Sequence, residues 1–145
     1  MKNRLVTVVA AAALAVGGLL ATATASSAAT ANTPCTTSKT FRAGTQFAWT
    51  APTTSSGSTD CYLVQGNQGN GVKALQRGLK YCEYISVGSS GIDGSFGPAT
   101  KSALKTFQSG AGITVDGEYG NQTRDRIYFL DGAYNPGAGD YYFCN

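Results

Sequence analysis

Two aspartates, Asp93 and Asp116, stand 23 residues apart inside the same nine-residue frame. Ile92-Asp93-Gly94-Ser95-Phe96-Gly97-Pro98-Ala99-Thr100 returns as Val115-Asp116-Gly117-Glu118-Tyr119-Gly120-Asn121-Gln122-Thr123. Recurring carboxylates invite a reading as general acids, bases or a glycosidase pair. Their neighbours point instead to a turn. Each aspartate precedes a glycine and can accept backbone N–H groups just ahead of it, closing an Asx-type turn. Gly94 and Gly117 supply positive φ at no steric cost. Phe96 and Tyr119 each drop a ring into the core between helices. Gly97 and Gly120 let the chain swing into the next helix. Thr100 and Thr123 fall in its first turn, where a hydroxyl satisfies a free backbone group. The frame therefore reads mostly as scaffold, one turn-into-helix unit used twice.

The remaining chemistry is sparse. The chain has no histidine, so a Ser/His or Cys/His base and a His-ligated zinc are excluded. Glu83, Glu118 and the aspartates show no spacing that suggests a dyad. No catalytic residue, metal or other cofactor is expected. The four cysteines, Cys35, Cys61, Cys82 and Cys144, read as two disulfides of an exported chain. Three pairings are open. Cys35–Cys61 with Cys82–Cys144 is preferred because it ties each flank to something.

These residues sit in a chain with four parts. Residues 1–29 carry Lys2 and Arg4, an apolar run from Leu5 to Leu20, then small residues, the pattern of a secretory signal peptide. A membrane anchor is the alternative, but Gly17-Gly18 interrupts an already short run. Without this segment the net charge falls from +3 to +1. That leaves no electrostatic footprint for nucleic acid or anionic lipid. Residues 30–60 form a Ser/Thr-rich flank with a short strand or hairpin expected around Thr40 to Trp49. Trp49 is either a small core anchor or a sugar-stacking ring. Residues 61–130 form the compact domain, and 131–145 a Gly/Tyr-rich tail.

Within 61–130 three helices are expected. The first spans about Asn70 to Cys82, with Val72, Leu75, Leu79 and Cys82 on one face. The second spans Pro98 to Gln108, with Pro98 at a first helical position that needs no N–H and Ala99, Ala103, Leu104 and Phe107 inward. The third spans Asn121 to Leu130, with Asn121 as N-cap. The fold class expected is mainly α, a small three-helix domain stapled by disulfides at both flanks.

At these residues the chain resembles the peptidoglycan-binding domain family of bacterial cell-wall hydrolases. The resemblance rests on Gly71-Val72-Lys73-Ala74-Leu75-Gln76 with Leu79, on the two repeated frames, and on Ala103, Leu104, Phe107 and Gln108 with Gly112-Ile113. Tyr81-Cys82-Glu83-Tyr84 departs from the family's usual Leu-Gly-Tyr. The resemblance implies a three-helix fold and a non-catalytic, secreted, wall-associated module whose partner is peptidoglycan. A monomer is expected. Sugar faces and stem peptides suit aromatic faces and uncharged hydrogen-bonding groups. Gln76, Tyr84, Gln108, Tyr119, Asn121 and Arg124 are the ligand-binding candidates, with Arg124 and Arg126 available to stem-peptide carboxylates. An attached hydrolase domain is not expected. The alternative is a secreted interaction or structural protein that reuses the fold without touching the wall.

Overall fold

The computed structural model describes residues 32–45, 47–130 and 144–145. The expected signal segment and all of the tail before Cys144 lie outside them. Strand β1 (Thr37–Phe41) pairs antiparallel with β2 (Trp49–Thr53), Phe41 opposite Trp49. Three helices follow, α1 (Asn70–Arg77), α2 (Pro98–Gly110) and α3 (Asn121–Arg124).

The expectation of a mainly α, three-helix domain is corrected here. The helices are short, a two-stranded sheet stands among them, and most of the described chain is loop and turn. The third helix stops at Arg124, a turn follows through Ile127, whose N–H donates to the Thr123 carbonyl, and residues 127–129 carry no helix. Ile127 and Phe129 are buried while Tyr128 is 58% exposed. That alternation of β-branched and aromatic residues fits a pleated chain better than a helix. The Leu130 carbonyl accepts from Thr50 N–H at 2.9 Å, and Phe129 exchanges both backbone bonds with Asn145. The segment thus touches the edge of β2 through one backbone bond and pairs with residues 144–145.

Helix one is also shorter than its apolar face suggests. From Gly78 to Cys82 it widens into a π turn, with Glu83 N–H donating to Gly78 C=O. The crossing of residues 127–129 explains the glycine: a Cβ at Gly78 would stand 2.9 Å from the Tyr128 carbonyl oxygen. The widened turn delivers Cys82 to Cys144. The other disulfide joins Cys35 to Cys61.

One core runs through the described residues. Val72, Leu75 and Leu79 of the first helical segment meet Leu104 and Phe107 of α2, the plugs Phe96 and Tyr119, and Cys35 and Ala51 of the hairpin region. The Ser/Thr-rich flank therefore packs on the same core as the repeated frames. A stacked series, Phe41–Trp49 at 4.4 Å and Trp49–Phe129 at 6.2 Å, carries it to the sheet edge. Among the described residues no helix is long and apolar enough to cross a membrane.

The Cys82–Cys144 bridge spans 62 residues of sequence. Replacing both cysteines with serine is expected to lower unfolding stability by about 2–4 kcal/mol, read from urea denaturation. An unchanged midpoint would show that backbone pairing alone holds the Phe129–Asn145 contact.

Candidate functional site

The two repeated turns are built around buried glutamines. Gln76, 1% exposed, donates from Nε2 to Asp93 Oδ1 at 2.9 Å, Thr100 Oγ1 at 3.1 Å and the Ser95 carbonyl at 3.2 Å. Its Oε1 accepts from Gly94 N–H at 2.9 Å. Gln108 repeats the pattern one unit later. Its Nε2 reaches Asp116 Oδ1 at 2.7 Å, Glu118 C=O at 2.9 Å and Thr123 Oγ1 at 3.2 Å, and Gly117 N–H donates to its Oε1 at 2.8 Å. Each aspartate also closes its own turn, accepting from Ser95 or Glu118 N–H at 2.8 Å. Gly94 and Gly117 stand at φ +81° and +72°. Lysine methylenes cover both glycines, those of Lys73 over Gly94 and those of Lys101 and Lys105 over Gly117.

This geometry assigns Gln76 and Gln108 to the scaffold. Both amides are buried and fully engaged, so neither presents a group to a ligand. The Gln76 amide and the Ser95 N–H hold the exposed Asp93 carboxyl below its ordinary pKa. Tyr119 is likewise inside, at 0% exposure, with its backbone paired to Leu63 in both directions and its ring edge-on to Phe129. Burial pushes its phenol well above the ordinary value, and its hydroxyl has no hydrogen-bond partner among the described residues. These three candidates lie where no ligand reaches them. Phe96 is buried in the same way and pairs with the 66–67 segment, as Tyr119 pairs with Leu63.

The surface candidates separate. Tyr84 is 84% exposed and holds a left-handed backbone at φ 56°. Arg124 lines a groove of about 560 Å³ with Asp125, Arg126, Tyr128, Trp49 and Asn145. Tyr84 is not part of that groove. Asn121 opens α3 as its first helical residue, with Gly120 in the N-cap place expected of it. Its Oδ1 accepts from Arg124 Nη1 at 3.0 Å. Arg124 is held further by Asp125, through Nε at 2.9 Å and Nη2 at 2.8 Å, and by the Thr59 carbonyl at 3.4 Å. Arg124 is thus a clamp between α3 and the Thr59 loop, neutralised by its neighbour. Trp49 is half-buried and stacked on Phe41, which makes it a packing ring with access to the groove.

The sequence offers Tyr128 among the aromatic groups for a ligand but gives no reason to place Asp125 and Asn145 in the site. The exposure of Tyr128 follows from the chain leaving the helix after Arg124, not from the expected helix over 121–130. Asn145 comes from the far end of the sequence and joins the groove through its pairing with Phe129. Among the described residues no group of three or more Cys, Asp or Glu side chains is placed to hold a metal ion.

Two outcomes follow. Gln108→Ala strands the Gly117 N–H inside the core and removes the donor shared by Asp116, the Glu118 carbonyl and Thr123 Oγ1, and is expected to cost about 2–4 kcal/mol in a denaturant titration. An effect below half a kilocalorie would show that water replaces the amide. Tyr119→Phe removes an unpartnered hydroxyl and is expected to be neutral or stabilising by about 1 kcal/mol, measured as a shift in Tm. A clear loss of stability would reveal a partner for that oxygen.

Residues 68–127 match the family described as "Putative peptidoglycan binding domain". The chain is 41% identical over 93 residues to the zinc D-Ala-D-Ala carboxypeptidase of Streptomyces albus G, covering 55% of this chain and 36% of that protein. It is 42% identical over 73 residues to the N-acetylmuramoyl-L-alanine amidase CwlL of Bacillus licheniformis, covering 50% of this chain and 20% of that one. It therefore spans about a third and a fifth of the lengths of these two hydrolases. Among solved structures it is similar to the SleB N-terminal domain at 36% identity, over 46% of this chain and 88% of that one, with a TM-score of 0.42. A peptidoglycan-binding protein from Clostridioides difficile is also similar, at 36% identity over 54% of this chain and 43% of that one, with a TM-score of 0.43. With both glutamine-held turns inside the matched residues, the chain belongs, through residues 68–127, to the peptidoglycan-binding domain family.

Proposed function

We propose that this chain is a secreted, non-catalytic module that holds bacterial cell-wall peptidoglycan in the groove between α3, the 126–129 segment and Trp49. The observation that carries the reading is the content of that groove. It joins an exposed phenol (Tyr128), the half-buried Trp49 and the amide of Asn145 to charged groups at the mouth. Aromatic faces beside amides suit pyranose rings and acetamido groups, and a concave site of this size suits one or two sugar units with their attached peptide. Four of its lining residues, Arg124, Asp125, Arg126 and Ile127, lie within the family-matched span.

Two features support the non-catalytic part of the reading. The aspartates of the repeated frames close turns, with Oδ1 of each accepting a glutamine amide. The groove's own carboxylate, Asp125, is paired with Arg124 at 2.8 Å. Neither arrangement leaves a carboxyl poised against a second one for acid–base work. The two disulfides support export, because such bridges persist in oxidising compartments.

Purified protein is expected to co-sediment with wall sacculi without clearing a wall suspension. Tyr128→Ala, at an exposed position, is expected to weaken retention about tenfold while leaving Tm unchanged. Failure of the wild-type protein to co-sediment would overturn the reading, and clearing of the suspension would overturn its non-catalytic part.

A further inference from the structure

A second groove, of about 350 Å³, lies against the first and shares Arg126 with it. Its apolar wall is Phe107, Ile85 and Ala111, and its two charged side chains are Glu83 and Arg126. These opposite charges line one concavity without meeting, since Arg124–Asp125 is the sole ion pair among the described residues. Separate elements fix them. Glu83 follows the π turn, and its Oε1 accepts from Tyr128 N–H at 2.8 Å, which leaves Oε2 available. Arg126 follows α3, with its backbone N–H donated to the Thr123 carbonyl at 3.1 Å. Its guanidinium is exposed and has no partner among the described residues.

We propose that this second groove is a subsite for a zwitterionic peptide, the stem of the wall polymer, with Arg126 taking a carboxylate and Glu83 an ammonium group. The inference rests on the wall-binding reading above and adds a ligand class and two residues to it. A guanidinium offers a planar fork to a carboxylate, and a carboxylate held at one oxygen can take an ammonium on the other. Two charges held apart over an apolar wall are each hydrated in the free protein. A ligand with both charges at the matching separation satisfies them together, whereas a neutral sugar satisfies neither. The shared position of Arg126 sets the order along the polymer. The sugar backbone occupies the larger groove, and the peptide branches from it past Arg126 into the smaller one.

The test uses the full chain with intact sacculi, sacculi stripped of stem peptides, and soluble stem peptide in free and carboxyl-amidated forms. Glu83→Gln keeps the acceptor for Tyr128 N–H and removes only the charge; Arg126→Gln removes the cation from an exposed position. Arg77→Gln, on an exposed helix face outside both grooves, is the control for net charge. The wild type is expected to bind intact sacculi about tenfold or more tightly than stripped ones. Each groove variant should reduce that preference with Tm unchanged, Arg77→Gln should preserve it, and amidation of the soluble peptide should weaken wild type but not Arg126→Gln. Equal retention on intact and stripped sacculi overturns this inference and leaves the wall-binding reading standing. So does wild-type behaviour of both groove variants. Failure to retain either preparation overturns the wall-binding reading and this inference with it. Binding of soluble peptide without any preference for intact sacculi marks a site for free peptides and overturns the wall stem as its source.

Discussion

Both repeated turns of this fold are held in place by a buried primary amide. A glutamine side chain donates and accepts within one plane, so it can satisfy a turn's free N–H and its free carbonyl together. Gln76 and Gln108 do this in opposite halves of the domain, with the amide oxygen on a glycine N–H and the amide nitrogen on an aspartate, a carbonyl and a threonine hydroxyl. Buried polar groups engaged on every side are costly to disturb, because each lost partner leaves a desolvated orphan. The turns so fixed decide where Phe96 and Tyr119 enter the core. Those residues in turn pair their backbones with the 63–67 segment and draw the loop before α1 onto the domain. The Gln108 clamp also fixes Thr123, and hence the start of the 124–129 segment that carries the groove.

The repeated frame was legible because its constraints are local. A glycine at positive φ, an aspartate bonded two residues ahead and an aromatic plug all belong to one short stretch, and Gly94 and Gly117 show them in the structure. The glutamines that complete each unit were visible as residues but not as members of it. Gln76 lies 17 residues before its aspartate and Gln108 only 8 before its own, so no single period contains them. A polar uncharged side chain beside a wall-polymer hypothesis then reads as a ligand group. The signal that distinguishes them is the shared Lys-x-x-Gln, Lys73 to Gln76 and Lys105 to Gln108, in which the lysine covers the same glycine that the glutamine binds.

The third helix shows the opposite case, a local pattern overruled from a distance. Residues 121–130 carry apolar positions compatible with either period. What decides between them is the unpaired edge of β2. Thr50 turns its N–H outward there, and the Leu130 carbonyl meets it once the chain has left the helix. The same choice lays the Tyr128 carbonyl against helix one, where only Gly78 leaves room. It also brings the far end of the chain alongside, so that Asn145 donates to the Ala48 carbonyl at 3.2 Å and Cys144 reaches Cys82. None of these partners lies near residue 125 in sequence. The edge, the glycine and the bridge agree only in three dimensions.

That agreement also explains the distribution of charge at the groove. Helix α3 is one turn long, so Arg124 and Asp125 emerge side by side at its end and neutralise each other as a double-bonded pair. The turn continues through Arg126, which points the next cation away from that pair, and the extended chain then exposes Tyr128 beside it. A full helix over 121–130 would have carried the groove's residues around a cylinder and separated Arg126 from Glu83, whose position depends on the Tyr128 N–H that it accepts. The segment after α3 therefore shapes the groove proposed for the wall polymer. The buried amides set the frame, the break after Arg124 sets the groove, and the charges left unpaired by that break are the ones the proposed stem-peptide subsite uses.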